Sequence, residues 1–108
     1  MTDRAVLTAS MSEAELLSRV IEAASLLGWH VHHSRPAMLG SGRYATALSG
    51  HPGCPDLVLA RGGVVRLVEL KSTRGRISDE QRGWLAASGG IVWRPIDWLN
   101  GGIEAELR

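Results

Sequence analysis

The chain contains a single cysteine, Cys54, among 108 residues. That excludes an internal disulfide, leaves no CxxC pair for structural zinc, and suits a reducing cytoplasm. No apolar run approaches the roughly 20 residues that span a bilayer. The first residues also lack the basic-then-apolar order of a secretory signal. No membrane partner is expected. Repeats and low-complexity tracts are missing too. The formal net charge is only +1, so the chain is not a generic polycation.

What is present fits one compact core. Hydrophobic residues make up 44% and charged residues 21%, an ordinary balance for a globular domain of this length. Residues 1–11 read as a flexible tail with little to bury, and 12–108 as a single domain. Leu16, Leu17, Val20, Ile21, Ala24 and Leu27 recur at helical spacing, predicting a helix over 12–27 that Gly28 stops. Residues 29–33 read as a strand, and 34–53, rich in Gly, Ser and Pro, as a long loop. Strands are predicted at 56–60 and 64–71, a second helix at 78–87, a last strand at 91–93, and a terminal turn or short helix.

The most informative stretch is Cys54 to Lys71. Pro55-Asp56 opens an apolar run, Gly62-Gly63 offers the positive φ that a primed hairpin turn requires, and a second run delivers Glu69-Leu70-Lys71. Side-chain alternation puts Glu69 and Lys71 on one face. A turn closing with Arg61 opposite Val64 sets Asp56 opposite Glu69, with Cβ atoms about 5 Å apart. Two carboxylates so close repel unless one is protonated or a divalent cation lies between them. Oxygen donors of this kind suit Mg²⁺ or Mn²⁺. A turn one residue longer would move Asp56 to the wrong face. The plainer alternative is a turn-capping Asp56, with Glu69 and Lys71 as charges on a wet hairpin face.

Other residues carry competing readings. Glu13 falls near the centre of the apolar stripe, facing the sheet, whereas Glu15 and Glu22 fall on the wet side; Ser12 with Glu15 completes a capping box without Glu13. Ser78 with Gln81 is itself a capping box. Trp84 reads as core rather than as a platform for stacked bases, and Cys54 as a small buried hydrophobe. Arg61, Arg66, Lys71, Arg74, Arg76 and Arg82 cluster around the motif in sequence, a basic surface that attracts phosphates. His33, Arg35 and Arg43 are further candidate phosphate contacts. His32 and His33 point to opposite faces of one strand and cannot readily share an ion.

Pro-Asp, then a strand and turn, then Glu-Leu-Lys resembles the PD-(D/E)XK nucleases, and within them the small stand-alone VRR-NUC proteins of phage and bacteria. The likeness extends over Glu13 to Trp29, His33-Ser34-Arg35-Pro36-Ala37, Gly53 to Leu59 and Glu69-Leu70-Lys71-Ser72. It continues through Gly75-Arg76-Ile77-Ser78, Gln81, Trp84, Val92-Trp93-Arg94-Pro95 and Asp97-Trp98. Cys54 departs from it, standing where a large apolar residue is expected.

The resemblance implies an α/β fold: a restriction-endonuclease-like PD-(D/E)XK core, a mixed β-sheet flanked by helices. It implies Mg²⁺- or Mn²⁺-dependent hydrolysis of DNA phosphodiesters. Asp56, Glu69 and the Leu70 carbonyl would hold the ion, Glu13 would add a ligand or a second position, Lys71 would stabilise the transition state, and Gln81 would face the site. Ser72, Arg74 and Arg76 on the following loop would grip the DNA backbone. It further implies a homodimer acting on branched DNA such as Holliday junctions, in a bacterial or phage-infected cytoplasm. The C-terminal Trp93, Trp98 and Leu99 could supply a dimer face, with Trp93 better suited to the core. A nuclease of flaps, nicks or ends, and a non-catalytic nucleic-acid-binding module, are the alternatives. An HNH nuclease fits poorly, because the one asparagine, Asn100, lies outside any ββ-metal context.

Overall fold

The computed structural model describes residues 10–34 and 49–108, residue 6, and the short segments 37–38 and 44–45. Helix α1 (Glu13–Leu26) leads into strand β1 (His30–His33). A small ribbon pairs β2 (Ala37–Met38) antiparallel with β3 (Tyr44–Ala45). Strands β4 (Leu57–Arg61) and β5 (Val64–Leu70) follow, then α2 (Asp79–Ser88), β6 (Ile91–Trp93), α3 (Pro95–Leu99) and α4 (Gly102–Leu107). The main sheet has the order β1-β4-β5-β6. Its first three strands are antiparallel, and β6 lies parallel to β5 after the α2 crossover. The expected mixed sheet with flanking helices is what the chain forms.

The hairpin turn sets the register. Gly62 and Gly63 take φ of 59° and 81°, the left-handed values that a two-residue primed turn needs. Arg61 therefore pairs with Val64 and Leu57 with Val68. One step further along the same ladder sets Asp56 beside Glu69.

Alternation divides the sheet into two faces. Leu57, Leu59, Val68, Leu70 and Trp93 point inward, where Leu16, Val20 and Ala24 of α1 meet them with Ile103 and Leu107 of α4. Each fully buried leucine or isoleucine there contributes roughly 1.5–3 kcal/mol of hydrophobic stabilisation. Trp29 closes the end of this core. Its indole N–H donates to the Leu107 carbonyl at 2.8 Å, and the Arg61 guanidinium lies 4.4 Å above its ring. Arg61 also donates to the carbonyls of Leu27, Leu107 and Arg108.

Several expectations are corrected. Residues 34–53 are not simply a loop, since β2 and β3 pair within them; strands of two residues are too short for alternation to show. The terminal segment forms two helices, and Ile103 and Leu107 sit in the core. Met11, assigned to the tail, is buried there as well. Leu27 follows the last turn of α1 as its C-cap and is 38% exposed, outside the stripe. Cys54 is exposed, because it precedes β4 and has no sheet face to turn toward. Trp84 is only half-buried, on a helix with no buried residue. Trp98 and Leu99 pack against their own core, which leaves little of them for a partner.

Candidate active site

The site forms at the end of the sheet where β4 begins and β5 finishes. Asp56 stands one residue before β4, and its Oδ2 accepts a hydrogen bond from the Leu70 N–H at 2.9 Å. That bond continues the strand pairing with a side chain in place of a carbonyl, and it fixes the carboxylate against β5. Glu69 points to the outer face and is 1% exposed. The Lys71 N–H donates to the Trp93 carbonyl at 3.1 Å, so the lysine is held at the tip of the β5–β6 pair.

Burial is the main reason the Glu69 carboxyl is pushed up to about 8. Asp56 adds to this by accepting a hydrogen bond from the protonated form and by its charge; Glu13 adds charge, and Lys71 opposes the rise. Glu69 Oε2 is buried without a hydrogen-bond partner.

Glu13 lies at the same end of the sheet, at the start of α1. It lines a cavity of about 320 Å³ together with Ala14, Leu17, His33, Asp56 and Leu70. Its carboxyl is raised above 4.5 by partial burial and by the Asp56 charge, with Lys71 opposing. The side chain sits at an exposed rim, at the start of the apolar stripe rather than beneath it. Ser12 accepts from the Glu15 N–H at 3.0 Å and caps α1, leaving Glu13 free of that duty. His33 faces the same cavity, and its Nδ1 is buried without a partner.

Gln81 caps α2 and also reaches Glu69. Its Oε1 accepts from the Ser78 N–H at 2.9 Å, while Ser78 Oγ accepts from the Gln81 N–H at 3.1 Å. Because Oε1 must accept, Nε2 is turned to donate, and it reaches Glu69 Oε1 at 3.3 Å. The two readings that compete in the sequence describe opposite ends of one amide.

Residues 41–89 match the family model of the VRR-NUC domain. That match covers 49 of the 108 residues. No curated protein and no solved structure matches the chain. The matched segment holds Asp56, Glu69, Lys71 and Gln81; Glu13 and His33 precede it. A match to this domain implies a nuclease-type function, with DNA as the substrate class.

Only part of the basic cluster surrounds these acids. Arg61 and Arg66 occupy the turn half of the hairpin, Arg61 over Trp29 and Arg66 paired with Glu106 at 3.7 Å. They are structural cations, roughly 3.3 Å per residue along the strands away from Asp56. Arg82 donates to the Ile77 carbonyl. Ser72, Arg74 and Arg76 do follow Lys71 on a loop, with both arginines exposed. Arg35 and Arg43 lie outside the described residues.

Sequence reasoning gave Arg94 no role of its own. Its Nη1 donates to the carbonyls of Ser72 and Gly75 at 2.8 Å each, and to that of Thr73 at 3.5 Å. It therefore shapes the loop that leaves Lys71. An arginine just after a short strand, before a proline, was the only signal.

Among the described residues, no three His, Cys, Asp or Glu side chains are gathered as a metal-holding group. The fit to a hard cation rests instead on the Asp56–Glu69 pair. Two carboxylates face one another there, and a buried oxygen, Glu69 Oε2, lacks any partner. A divalent ion would give that oxygen a partner, and all-oxygen donors suit Mg²⁺ or Mn²⁺.

Proposed function

We propose that the protein is a Mg²⁺- or Mn²⁺-dependent deoxyribonuclease that hydrolyses phosphodiesters in branched DNA such as Holliday junctions, acting as a homodimer in the cytoplasm. The observation that carries the chemistry is Glu69, buried and with one oxygen unpartnered, against Asp56 and beside Lys71. A protein that only binds DNA has no use for buried carboxylates aimed at phosphates.

Asp56, Glu69 and the Leu70 carbonyl would hold the ion, with Glu13 beside them. When bound, such an ion polarises the scissile phosphate and acidifies water. The chain's own groups do the rest. The Leu70 N–H fixes Asp56, and Gln81 holds Glu69 Oε1 so that Oε2 is presented to the ion. The Lys71 ammonium stabilises the charge that develops on the phosphoryl oxygens as the nucleophile adds. His33, Ser72, Arg74 and Arg76 would position the backbone, contacts that give register without base readout. Two-fold symmetry in a dimer would place paired sites across a junction.

The test is cleavage of labelled four-way junction, flap, nicked and linear DNA with Mg²⁺ or Mn²⁺, wild type beside Asp56→Asn, with solution mass on the same samples. Symmetric junction cutting by a dimer, lost in the variant, is the expected result. Cutting confined to flaps, nicks or ends would overturn the junction preference. Binding with no metal-dependent cutting of any substrate would overturn the nuclease reading itself.

A further inference from the structure

A second concavity opens on α2, separate from the carboxylate cavity. It has a volume of about 500 Å³ and is lined by His51, Pro52, Glu80, Gly83, Trp84 and Ala87. That volume falls within the range of small-molecule sites. We propose that this groove binds one unpaired nucleobase of the DNA strand presented to the carboxylates, an inference that rests on the nuclease reading above.

The chemistry of the lining selects this occupant. Trp84 is half-buried and its indole N–H donates to the His51 carbonyl at 3.2 Å. The ring is therefore held at a fixed angle, with its polar edge already satisfied. His51 adds a second ring, and Pro52 and Ala87 add apolar carbon. Flat aromatic surface without charge is what a base stacks on. The one charged group is the Glu80 carboxylate, and no described residue forms an ion pair with it. A carboxylate repels phosphate but accepts hydrogen bonds from base N–H groups. The groove thus favours a base over the DNA backbone.

Gly83 keeps the groove open. A Cβ added there would meet no heavy atom within 4 Å, so nothing in the packing requires glycine at this helical position. Glycine in a helix interior carries a penalty relative to alanine. Open space over an unpacked glycine, beside a fixed tryptophan, is the arrangement a flat ligand needs.

The groove is linked to the catalytic pair through the backbone. Gly53 is pressed against the first turn of α2: a Cβ on it would lie 2.6 Å from the Glu80 backbone carbon and 2.8 Å from the Gln81 nitrogen. Glu80 looks into the groove while its neighbour Gln81 holds Glu69. On the other wall, His51 and Pro52 lead within a few residues to Asp56. A strand whose phosphate lies at Asp56 and Glu69 thus has the groove beside it for a base that is free of its partner.

The test uses forked duplexes carrying 2-aminopurine at successive positions of the unpaired strand, with Ca²⁺ in place of Mg²⁺ to keep the strand intact. Wild type should quench the fluorescence at one position by stacking. An abasic site there should weaken binding about tenfold, within the range that one stacked base contributes. Trp84→Leu and Gly83→Leu should each abolish the quench. Gly83→Leu fills the groove while improving helix propensity, so its melting temperature should match or exceed wild type, and its loss of binding cannot be unfolding. Quenching at no position, or quenching that survives Gly83→Leu, would overturn the proposal. Cleavage with Mg²⁺, measured on the same forks, separates the two readings. Cutting without quenching removes the groove and keeps the nuclease; quenching without cutting does the reverse.

Discussion

Gln81 and Glu69 are joined by a single hydrogen bond of 3.3 Å whose donor is oriented by the cap of its own helix. The Ser78 N–H occupies Gln81 Oε1 and so forces Nε2 toward Glu69. Gln81→Ala should lose both ends of this arrangement. Stability should fall by about 1 kcal/mol, the usual cost of a lost cap, and cleavage about tenfold. Gln81→Glu keeps the cap but sets a carboxylate against Glu69, so it should retain stability better than the alanine variant and cleave worse. Denaturation midpoints and initial rates for the two variants give the comparison; equal rates would argue that Gln81 is only a cap.

Burial of the Glu69 carboxyl makes stability depend on pH. Glu69 holds its proton to about pH 8 in the folded protein, against an ordinary value of 4.5. The native state therefore binds a proton that the unfolded chain releases, and this stabilisation is complete below about pH 4.5 and lost as pH rises through 8. Without divalent metal, Glu69→Gln should flatten the fall between pH 5 and 8 by at least about 1.4 kcal/mol, the equivalent of one pKa unit. Urea unfolding at several pH values checks it. Equal slopes for variant and wild type would show that Glu69 is not the group responsible.

Lys71 is held at the tip of the β5–β6 pair by its backbone, so its ammonium can change without disturbing the sheet. Lys71→Ala should leave junction binding within about threefold of wild type and lower the cleavage rate by roughly 10²-fold or more, as for other groups that meet charge in a transition state. Gel-shift titration beside single-turnover cleavage separates the two effects. Parallel losses would reassign the lysine to binding.

Arg94 predicts a different profile. It ties three carbonyls of the 72–75 segment, and Arg94→Gln should free that loop at a cost of about 1–3 kcal/mol. The affinity for DNA should fall more than the rate of the bound complex, because Arg74 and Arg76 would lose a fixed base. Binding unchanged in a folded variant would contradict this role.

Arg61 provides the contrast. Its bonds to the Leu27, Leu107 and Arg108 carbonyls and its seat over Trp29 are remote from the acids. Arg61→Met should destabilise the protein by about 2 kcal/mol and leave cleavage per folded molecule unchanged. A selective loss of activity at full stability would return Arg61 to the DNA-binding surface.

Much of this was legible in the chain because period and turn chemistry are local. Gly62-Gly63 specifies the hairpin register, which then sets Asp56 beside Glu69. The α1 stripe and the Ser78–Gln81 cap are likewise written in spacings of three and four residues. Long-range burial was not legible. Trp84 looks like core by type, but no element packs deeply enough on α2 to bury it. Ile103 and Leu107 look like a short tail, yet Trp29 and Arg61, distant in sequence, tie that helix down. The basic cluster misled for the same reason: neighbours in sequence on a hairpin separate along its length, so Arg61 and Lys71 serve opposite ends.

The contact of Gly53 with the first turn of α2 leaves no slack between two working surfaces. One backbone rests directly on the other, so the 51–53 segment and the Glu80–Gln81 turn must shift together. Any occupant that wedges them apart draws the Gln81 amide away from Glu69, and any that presses them together seats it. Even one methyl group at Gly53 would therefore displace the turn whose next side chain reaches Glu69.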